Sequence, residues 1–418
     1  MQTSLEISLS LIESLSNERR EPSWMTNWRI NAFYCLLASV APVWSEAQSP
    51  IVGPQVASTF EKCEQSQMLK THNRNVDVVY NSTSVYLNIT NELQKLNILF
   101  LPLSKAILLC PKLIRRYMGS VVYHNDNYYS ALNAAVFTDG TFVNVPKGVH
   151  CPMSLSTYFK ITPNCAGQFE RTLIIADPQS KIAYFEGCNS GKLNKFILHS
   201  AVVEIVVKDF SNLKYTTFQN WSNHERGGIY NYVTKRALVC GKQSKMIWVQ
   251  VEIGSNSTWK YPSTILAGFN SRSEFYSLSI SNRNQRVDTG TKCLHLAEGS
   301  SSTVLAKSIV MGQSLNIFRA LVLVEAKNCR SHIKCDSLIT SKQGRIKTFP
   351  TIKTISWPLR LEYESLNSYI TERQLAYCSQ RGLNEVDAIK LIISGHASDI
   401  VQKLPLEAAV EISKLMIL

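Results

Sequence analysis

The pattern of hydrophobic and polar positions divides the chain into three regions. Residues 1–118 contain apolar positions at helical spacing, including Leu5 and Ile12, and a second helix is predicted over Trp28–Leu37. The Pro42–Pro54 segment contains Pro, Ser, Gly and Gln and is predicted to be a linker. This first region is therefore predicted to be mixed and largely helical.

Short strand-like runs follow one another through residues 119–355, and no convincing helix separates them. The run Ala201–Val207 is apolar at nearly every position, which indicates a sheet covered on both faces. A long series of such strands favours a β-helix core, in which each coil stacks on the previous one. The predicted strands are Thr172–Ala176, Ile182–Phe185, Ala201–Val207, Tyr230–Thr234, Met246–Glu252, Phe275–Ile280, Thr303–Ala306 and Ala320–Val324.

The last region, residues 356–418, returns to helical spacing. Asn384 is a suitable N-cap for one helix, and Pro405 is a suitable first residue for another. Both helices carry apolar stripes. Each stripe either packs against the β core or forms a docking surface for a partner subunit.

Composition excludes several classes of protein. The chain is 45% hydrophobic, which excludes a mainly disordered protein. Its formal net charge of +13 raises the expectation of an anionic partner. Basic residues are not clustered with aromatic residues, however, so neither nucleic-acid nor membrane binding is predicted. Glu6, Glu13 and Glu18 argue against a signal peptide or a transit peptide, and no apolar run is long enough to span a membrane.

Eleven cysteines without any C-x-x-C pair predict reduced thiols rather than a disulfide framework or a zinc site. Cys188 follows the predicted strand Ile182–Phe185 and stands beside Gly187. A thiol at a strand end beside a glycine can be exposed enough to react, and Lys192 or Lys195 could supply the cation that lowers its pKa. The alternative is a buried, inert cysteine.

Two further groups of residues could carry chemistry. Cys329, His332 and Cys335 form a C-x2-H-x2-C run, and in a strand the two cysteines would share one face. Glu362 and Glu364 would also share a face, either as an acid–base pair, as metal ligands or as a solvated edge. An acid–base role would suit a secreted β-solenoid enzyme that acts on polysaccharides. The chain lacks a P-loop and a G-x-S-x-G elbow, which argues against nucleotide hydrolysis by this chain.

Several longer segments closely resemble the SufB/SufD family of iron–sulfur cluster scaffolds, from about Glu18 to the end of the chain. The segment FEGC at Phe185–Cys188 favours the SufB branch over the SufD branch, which lacks this cysteine. The other matching segments are NAAVFTDG (Asn133–Gly140), PKGVHCPM (Pro146–Met153), GQFERT (Gly167–Thr172), GGIYN (Gly227–Asn231), TWKYPS (Thr258–Ser263), DTGTK (Asp288–Lys292), CDSL (Cys335–Leu338) and YCSQRG (Tyr377–Gly382).

The resemblance implies a mainly β fold, a right-handed parallel β-helix flanked by helical N- and C-terminal regions. It implies a non-catalytic scaffold in a SufB–SufC–SufD complex, with SufD or a second SufB as partner. SufC would hydrolyse ATP and dock on the C-terminal helices. A SufS–SufE-type cysteine desulfurase would deliver sulfur, and the transient iron–sulfur cluster would pass to apo-proteins. Reduced flavin is a further cofactor that the resemblance allows, and the plastid stroma or a bacterial cytoplasm is the implied location.

The resemblance also assigns site residues. Cys188 matches the sulfur acceptor, and Cys335 matches the cluster-building cysteine, with Glu364 and Glu362 as nearby carboxylate ligands of the iron. The residues that match the sulfur-transfer path are Lys160, Thr162, Gln219, Trp221 and Lys235. The chain departs from the family at several positions, which leaves a drifted scaffold paralogue as an alternative. These positions are His150, Lys160, Thr162, Tyr363 and Ala397.

Overall fold

Nine helices and twenty strands occupy the part of the chain that the computed structural model describes, which is residues 7–42, 75–80, 83–161, 167–191, 193–221, 227–357 and 359–417. The helices are α1 (Leu9–Glu18), α2 (Ser23–Ala38), α3 (Asn91–Lys95), α4 (Leu103–Leu109), α5 (Pro111–Tyr117), α6 (Tyr128–Val136), α7 (Glu372–Gln380), α8 (Glu385–Val401) and α9 (Leu406–Ile417).

The strands build two stacked sheets. The strands are β1 (Asn75–Tyr80), β2 (Thr83–Asn88), β3 (Leu99–Pro102), β4 (Thr141–Val145), β5 (Leu155–Ile161), β6 (Gly167–Ala176), β7 (Lys181–Ser190), β8 (Phe196–Val207), β9 (Asn212–Asn220), β10 (Gly228–Val239), β11 (Lys245–Ile253), β12 (Ser257–Lys260), β13 (Ser263–Leu266), β14 (Arg272–Ser281), β15 (Arg286–His295), β16 (Ser301–Val310), β17 (Leu315–Val324), β18 (Cys329–Ile339), β19 (Arg345–Thr354) and β20 (Leu359–Tyr369).

The chain alternates between the two sheets, so each pair of strands forms one coil of a parallel β-solenoid of about seven turns. Sheet A has the order β2-β1-β5-β7-β9-β11-β14-β16-β18-β20, and sheet B runs from β19 through β17, β15, β12, β10, β8, β6 and β4 to β3. Among the strand pairs of the described residues, only β1–β2 and β3–β4 are antiparallel. The predicted β-helix is confirmed, and every predicted strand lies within an observed one.

Alternating side chains fill the lumen between the sheets. Because successive residues of a strand point to opposite faces, each strand sends every second residue inward. The inward residues form an apolar core along most of the solenoid, which includes Val203, Ile205, Trp248 and Phe275. At most of the turns one residue adopts a positive φ that reverses the chain direction. These residues are Gln179, Phe210, Gln243, Asn270, Arg283, Gly299, Gly312 and Asn328.

The first region of the chain joins the solenoid and also covers it. Strand β1 pairs in parallel with β5, so sheet A extends into residues 1–118. Helices α1, α2 and α4–α6 pack over the outer face of sheet B. The prediction that no helix interrupts residues 119–355 was wrong at α6. This helix is almost wholly buried, so its sequence lacks the one-sided apolar stripe that marks a surface helix. The predicted linker lies, beyond Pro42, outside the described residues.

The last region begins with strand β20, so its helical part starts only at Glu372. The predicted helices α8 and α9 are confirmed, and their apolar stripes cover the outer face of sheet A. Two polar contacts fix them there. Lys307 Nζ lies 2.6 Å from Asp399 Oδ2, and Asn220 Nδ2 donates to Glu411 Oε1 at 2.9 Å. Among the described residues, no helix is both long and apolar enough to span a membrane.

A buried carboxylate ties the segment before α6 to sheet B. Glu204 accepts backbone hydrogen bonds from Gly119, Val121 and Val122 at 2.9–3.1 Å. Its Oε1 atom also lies 2.6 Å from Arg171 Nη2, and both side chains are almost completely buried. Removing one partner of such a pair leaves an uncompensated charge in a medium that solvates it poorly.

Substituting Glu204→Gln should therefore lower the free energy of unfolding by about 3–5 kcal/mol, because Arg171 would remain charged without a counterion. Urea unfolding measures this loss. Lys245→Met is the control, since Lys245 and Glu274 form a pair that is about one-third exposed. It should cost less than about 1 kcal/mol. Equal losses in the two variants would contradict this account of the Glu204 anchor.

Candidate functional site

The candidate site lies in the lumen, near the end of strand β7. Glu186 and Cys188 both point inward from this strand, because they are two residues apart. On the adjacent strand β9, Thr217 pairs with Glu186 and Gln219 pairs with Cys188. The register of two neighbouring strands therefore brings a thiol, a carboxylate and an amide together.

Gly187 separates the two inward residues and faces outward under the ring of Tyr158. A Cβ atom at this position would lie 2.8 Å from the Tyr158 Cδ1 atom. No ordinary side chain fits in that space without moving the ring. The segment Glu186–Cys188 therefore needs a glycine at its centre if Tyr158 is to cover β7.

Cys188 is buried, with 2% of its surface exposed, and its thiol donates to Glu186 Oε1 at 3.8 Å. Gln219 Nε2 donates to the sulfur at 3.7 Å. Burial raises the pKa of Cys188 well above its ordinary value, and the charge of Glu186 adds to this effect. The apolar residues that enclose it are Val79, Phe159, Ile161, Leu193, Ile197, Trp221 and Ile229.

Of the two alternatives for Cys188, the buried thiol is the one that the structure shows, and the exposed thiol at a strand end was wrong. Strand β7 continues to Ser190, so Cys188 lies within the sheet and its side chain enters the lumen. Lys192 lies outside the described residues. The cation that contacts Glu186 is Lys235, which comes from sheet B on the opposite wall and lies far away in sequence.

Glu186 is an ionised carboxylate in this buried setting. Burial by itself would raise its pKa, but Lys235, Tyr215 and Lys260 outweigh that effect and hold the pKa below its ordinary value. Lys235 Nζ lies 3.1 Å from Glu186 Oε1, and the Tyr215 hydroxyl donates to Oε2. Burial lowers the pKa of Lys235 to about 8, against the attraction of Glu186. The pair therefore carries both charges at neutral pH.

A second ion pair and an amide network extend the polar site. Lys260 forms an ion pair with Glu252, the inward residue that pairs with Gln219 on the next strand. Asn231 Nδ2 donates to Gln219 Oε1 at 2.6 Å and to Glu252 Oε2 at 3.2 Å. Its Oδ1 atom lies 2.8 Å from His199 Nδ1. The amide of Gln219 is thus held in place on its far side.

His199 connects this network to one more carboxylate and to an indole ring. His199 Nε2 lies 2.7 Å from Glu170 Oε1, and burial raises the pKa of Glu170 to about 7. The ring centroids of His199 and Trp221 are 5.0 Å apart. The buried indole N–H of Trp221 donates to no acceptor among the described residues.

Three of the five residues assigned to the sulfur path lie in this lumen cluster: Gln219, Trp221 and Lys235. Lys160 instead lies on the exposed face of β5, next to the strand that carries Cys188, where it pairs with Asn189. Thr162 lies outside the described residues.

Two columns of inward side chains run from this site toward the last coil, because each sheet A strand pairs in register with the next. The first column contains Cys188, Gln219, Glu252, Ser279, Ser308 and Ser337. The second contains Glu186, Thr217, Gln250, Ser277, Ala306 and Cys335. Gln250 Nε2 donates to Ser277 at 3.0 Å, and Ser279 donates to Ser308 at 3.1 Å. Five strand steps of ~4.8 Å each place Cys335 about 24 Å from the Cys188 site.

Cys335 is buried in the lumen on β18, and burial raises its pKa to about 12. The expectation that Glu364 lies beside it is not met. Cys335 pairs with Ser365 on β20, whereas Glu364 pairs with Lys334 and points outward. The alternation of the strand therefore puts the thiol and the carboxylate on opposite faces of sheet A. Within the described residues, no three Cys, His, Asp or Glu side chains are grouped to hold a metal ion.

The two glutamates of β20 share one face, as predicted. Glu364 is exposed, and a hydrogen bond from Lys334 lowers its pKa. Its carboxylate lies 3.3 Å from Lys334 and 3.6 Å from His332, while Glu362 lies 2.6 Å from Arg360. Cys329 and Cys335 also share a face, and His332 lies on the other one. The three side chains of the C-x2-H-x2-C run therefore do not point toward a common metal site.

Sequence reasoning missed most of the polar and charged residues of this lumen cluster: Glu170, Glu186, His199, Asn231, Glu252 and Lys260. Several of them stand in the motifs that carry the family resemblance. The available signal is that some of them, such as Glu186 and His199, stand within otherwise apolar strand segments. Nothing in the sequence pairs a residue of sheet A with a residue of sheet B across the lumen.

Comparisons with known proteins identify relatives of this chain. Residues 159–396 match the family model described as SUF system FeS cluster assembly, SufBD core domain. The "Iron-sulfur cluster assembly SufBD family protein ycf24" of Porphyra purpurea is 39% identical over 98% of this chain and 90% of its own length. The chloroplastic SufBD family protein ABCI8 of Arabidopsis thaliana is 38% identical over 98% of this chain and 79% of its own.

A third relative carries a more specific name. The "Iron-sulfur cluster assembly protein SufB" of Plasmodium falciparum is 41% identical over 81% of this chain and 73% of its own length. The family model covers more than half of this chain, and these relatives extend over most of it. The chain therefore belongs to the SufBD family of SUF-system iron–sulfur cluster assembly proteins.

Proposed function

We propose that this chain is a SufB-type scaffold, on which iron–sulfur clusters are assembled and from which they pass to apo-proteins. Sulfur enters at Cys188, moves through the lumen and is joined to iron at Cys335. The chain itself acts as a scaffold rather than as an enzyme. The presence of both cysteines, together with the polar residues between them, favours a functional scaffold over a drifted paralogue.

The two polar columns between Cys188 and Cys335 are the observation that carries this proposal. A solenoid lumen is normally filled with apolar side chains, because a buried polar group is costly without a hydrogen bond. Here polar groups follow one another in register in the column that begins at Cys188, and the neighbouring column, which ends at Cys335, is polar up to Ser277 and interrupted only at Ala306. Such groups can donate to or accept from a sulfur species as it passes, and Gln219, Trp221 and Lys235 stand at its entrance.

Sulfur transfer at Cys188 requires an opening step, because the thiol is 2% exposed. Thiol exchange needs a thiolate that reaches the sulfur of its donor. Lys160 is exposed beside strand β7, where a cation can attract an anionic persulfide. Thr162 belongs to the proposed sulfur path only through the family resemblance.

Cluster assembly at Cys335 also requires movement, because the thiol faces the lumen and the carboxylates of Glu364 and Glu362 face outward. Strand β20 is the last strand of sheet A, so it can shift without breaking a ladder on its far side. Iron would then displace the thiol proton, and Glu364 would leave Lys334 and His332. One thiolate and harder carboxylate ligands should bind the cluster weakly enough to release it.

The open end of the solenoid fits a SufD subunit or a second SufB. Among the described strands, none pairs with the outer edge of β19 or β20. Exposed strand edges are sites where another chain adds its own strands. Large apolar side chains are exposed at the same end, which a partner would cover. They are Phe349, Ile352, Ile355, Trp357, Leu366 and Tyr369.

The C-terminal helices fit the docking site of a SufC ATPase. Their inner faces cover sheet A, yet Tyr377, Val386, Leu391, Leu406 and Val410 remain exposed. A separate ATPase would also supply the nucleotide hydrolysis for which this sequence has no motif. A SufS–SufE-type desulfurase would supply the persulfide. The cluster is cargo, and reduced flavin, as a source of electrons, belongs to the proposal only through the family resemblance.

The proposed location is the plastid stroma or a bacterial cytoplasm. A relative named as chloroplastic occurs in Arabidopsis thaliana, and another relative that is 39% identical occurs in Synechocystis. Both are similar to this chain over nearly its whole length.

Cys335→Ala should abolish cluster formation when the assembled complex is reconstituted anaerobically with ferrous iron and sulfide. The expected cause is loss of the thiolate ligand, so the complex itself should still assemble. Iron per chain and sulfur-to-iron charge-transfer absorbance give the readout. Cys293→Ala is the matched control, because Cys293 is also a buried thiol but lies on sheet B. A normal cluster yield from the Cys335 variant would remove Cys335 from the proposal.

Cys188→Ala should block cluster formation only when sulfur comes from the desulfurase. Free sulfide does not need an acceptor thiol, so chemical reconstitution should give the wild-type yield. The two supplies of sulfur are compared in the same complex by counting iron per chain. If the variant fails equally with both supplies, the separate roles of Cys188 and Cys335 are wrong.

A further inference from the structure

We propose that Glu186 is the proton acceptor for the Cys188 thiol during sulfur transfer, an inference that rests on the proposed role of Cys188 as the sulfur acceptor. Glu186 belongs to none of the residues that the resemblance assigns. It is selected by its position, since it is the carboxylate to which the Cys188 thiol donates.

The two hydrogen bonds on the Cys188 sulfur run in opposite directions. The thiol donates its proton toward Glu186 Oε1 at 3.8 Å, and Gln219 Nε2 donates a proton to the sulfur at 3.7 Å. The first contact marks where the proton can go. The second stabilises the negative charge that remains on sulfur after the proton has left. Both contacts can shorten when a donor is bound, as catalytic hydrogen bonds commonly do.

The charges around the pair allow this transfer without creating an additional buried charge. Moving the proton from sulfur to Glu186 Oε1 exchanges one anion for another within the same cluster, so its net charge does not change. Lys235 Nζ lies 3.1 Å from this oxygen and can remain the counterion of the new thiolate. The charged and titratable groups that face the pair from both sheets are Glu170, Tyr184, Tyr215, Lys235 and Lys260.

The resting thiol needs such a base. Burial keeps Cys188 protonated, and the charge of Glu186 strengthens this effect. Glu186 therefore has two opposing influences. It repels a thiolate at equilibrium, but it is also the route by which the thiol loses its proton when a donor is in place. Removal of Glu186 separates these influences, because loss of the repulsion would speed the loading of Cys188 with sulfur, whereas loss of the base would slow it.

The reaction is a transfer of sulfane sulfur from a donor persulfide. Glu186 takes the Cys188 proton, and the thiolate attacks the terminal sulfur of R–S–SH. A new S–S bond forms on Cys188 as the S–S bond of the donor breaks, and the donor leaves as a thiolate that takes up a proton. In total, Cys188–SH and R–S–SH give Cys188–S–SH and R–SH. The sulfane sulfur keeps its oxidation state, so no outside oxidant or reductant is needed.

The test loads the purified full-length chain with glutathione persulfide and follows the peptide that carries Cys188 by mass spectrometry. The main variant is Glu186→Gln/Lys235→Met, which leaves no unpaired charge in the lumen and no neutral lysine to replace the base. Glu186→Asp retains a carboxylate. The control is Glu21→Gln/Arg29→Met, since these two residues form a buried ion pair in the helical cap. Circular dichroism verifies that each variant is folded.

The double variant at Glu186 and Lys235 should load at least about 100-fold more slowly at pH 7, the usual contribution of a positioned base. Its rate should then rise about tenfold per pH unit between pH 7 and 9, because the Cys188 thiol would have to lose its proton to solvent before it reacts. The wild-type rate should change far less over this range. Glu186→Asp should remain within about tenfold of the wild type, and the control variant should match it.

Loading of the double variant that equals or exceeds the wild-type rate would overturn the inference, because Glu186 would then only repel the thiolate. The proposed function would survive that result. Absence of persulfide on Cys188 in the wild-type chain would overturn both the proposed function and this inference. The two failures are therefore distinguishable in a single experiment.

Discussion

The in-register pairing of parallel strands is the constraint on which the rest of this structure depends. Each residue of a sheet A strand stacks on one residue of the next strand, so the inward positions form continuous columns. If the pairing register of a strand shifted by one residue, every inward side chain of that strand would turn outward. The same register that fills the lumen with Val203, Ile205 and Phe275 also aligns Cys188 with Gln219 and brings Cys335 into the column of Glu186.

The lumen can hold charged residues only because the two sheets face each other across it. Glu186 and Glu252 project from sheet A, and Lys235 and Lys260 meet them from sheet B. A buried carboxylate without a cation would take up a proton or weaken the fold. The paired charges instead produce a polar segment in a mainly apolar core.

Helix α9 contacts the same segment from outside the solenoid, through the hydrogen bond between Asn220 and Glu411. This bond connects the C-terminal helices to strand β9, which carries Gln219.

Much of the fold follows from the sequence, because a strand covered on both faces has an apolar run such as Ala201–Val207. The helix α6 does not follow, since burial on all sides removes its periodicity. The family motifs point to Cys188 and Cys335, but local patterns do not show that both thiols face the lumen or that Glu364 faces away from Cys335. The direction of each of these side chains depends on where its strand begins and on how the strand pairs with its neighbours. The contact between Glu186 and Lys235 depends on the packing of sheet A against sheet B across the lumen.

In the proposed function, sulfur travels from Cys188 to Cys335 inside the solenoid. The most direct test is a pulse of persulfide labelled with a heavy sulfur isotope, given to the assembled complex without iron, followed by time-resolved mass spectrometry of both cysteine peptides. If sulfur takes this route, label reaches Cys188 first and then declines there as it appears on Cys335. Cys188→Ala should remove the label from both sites. Label that reaches Cys335 at the wild-type rate in that variant would contradict a route through the lumen.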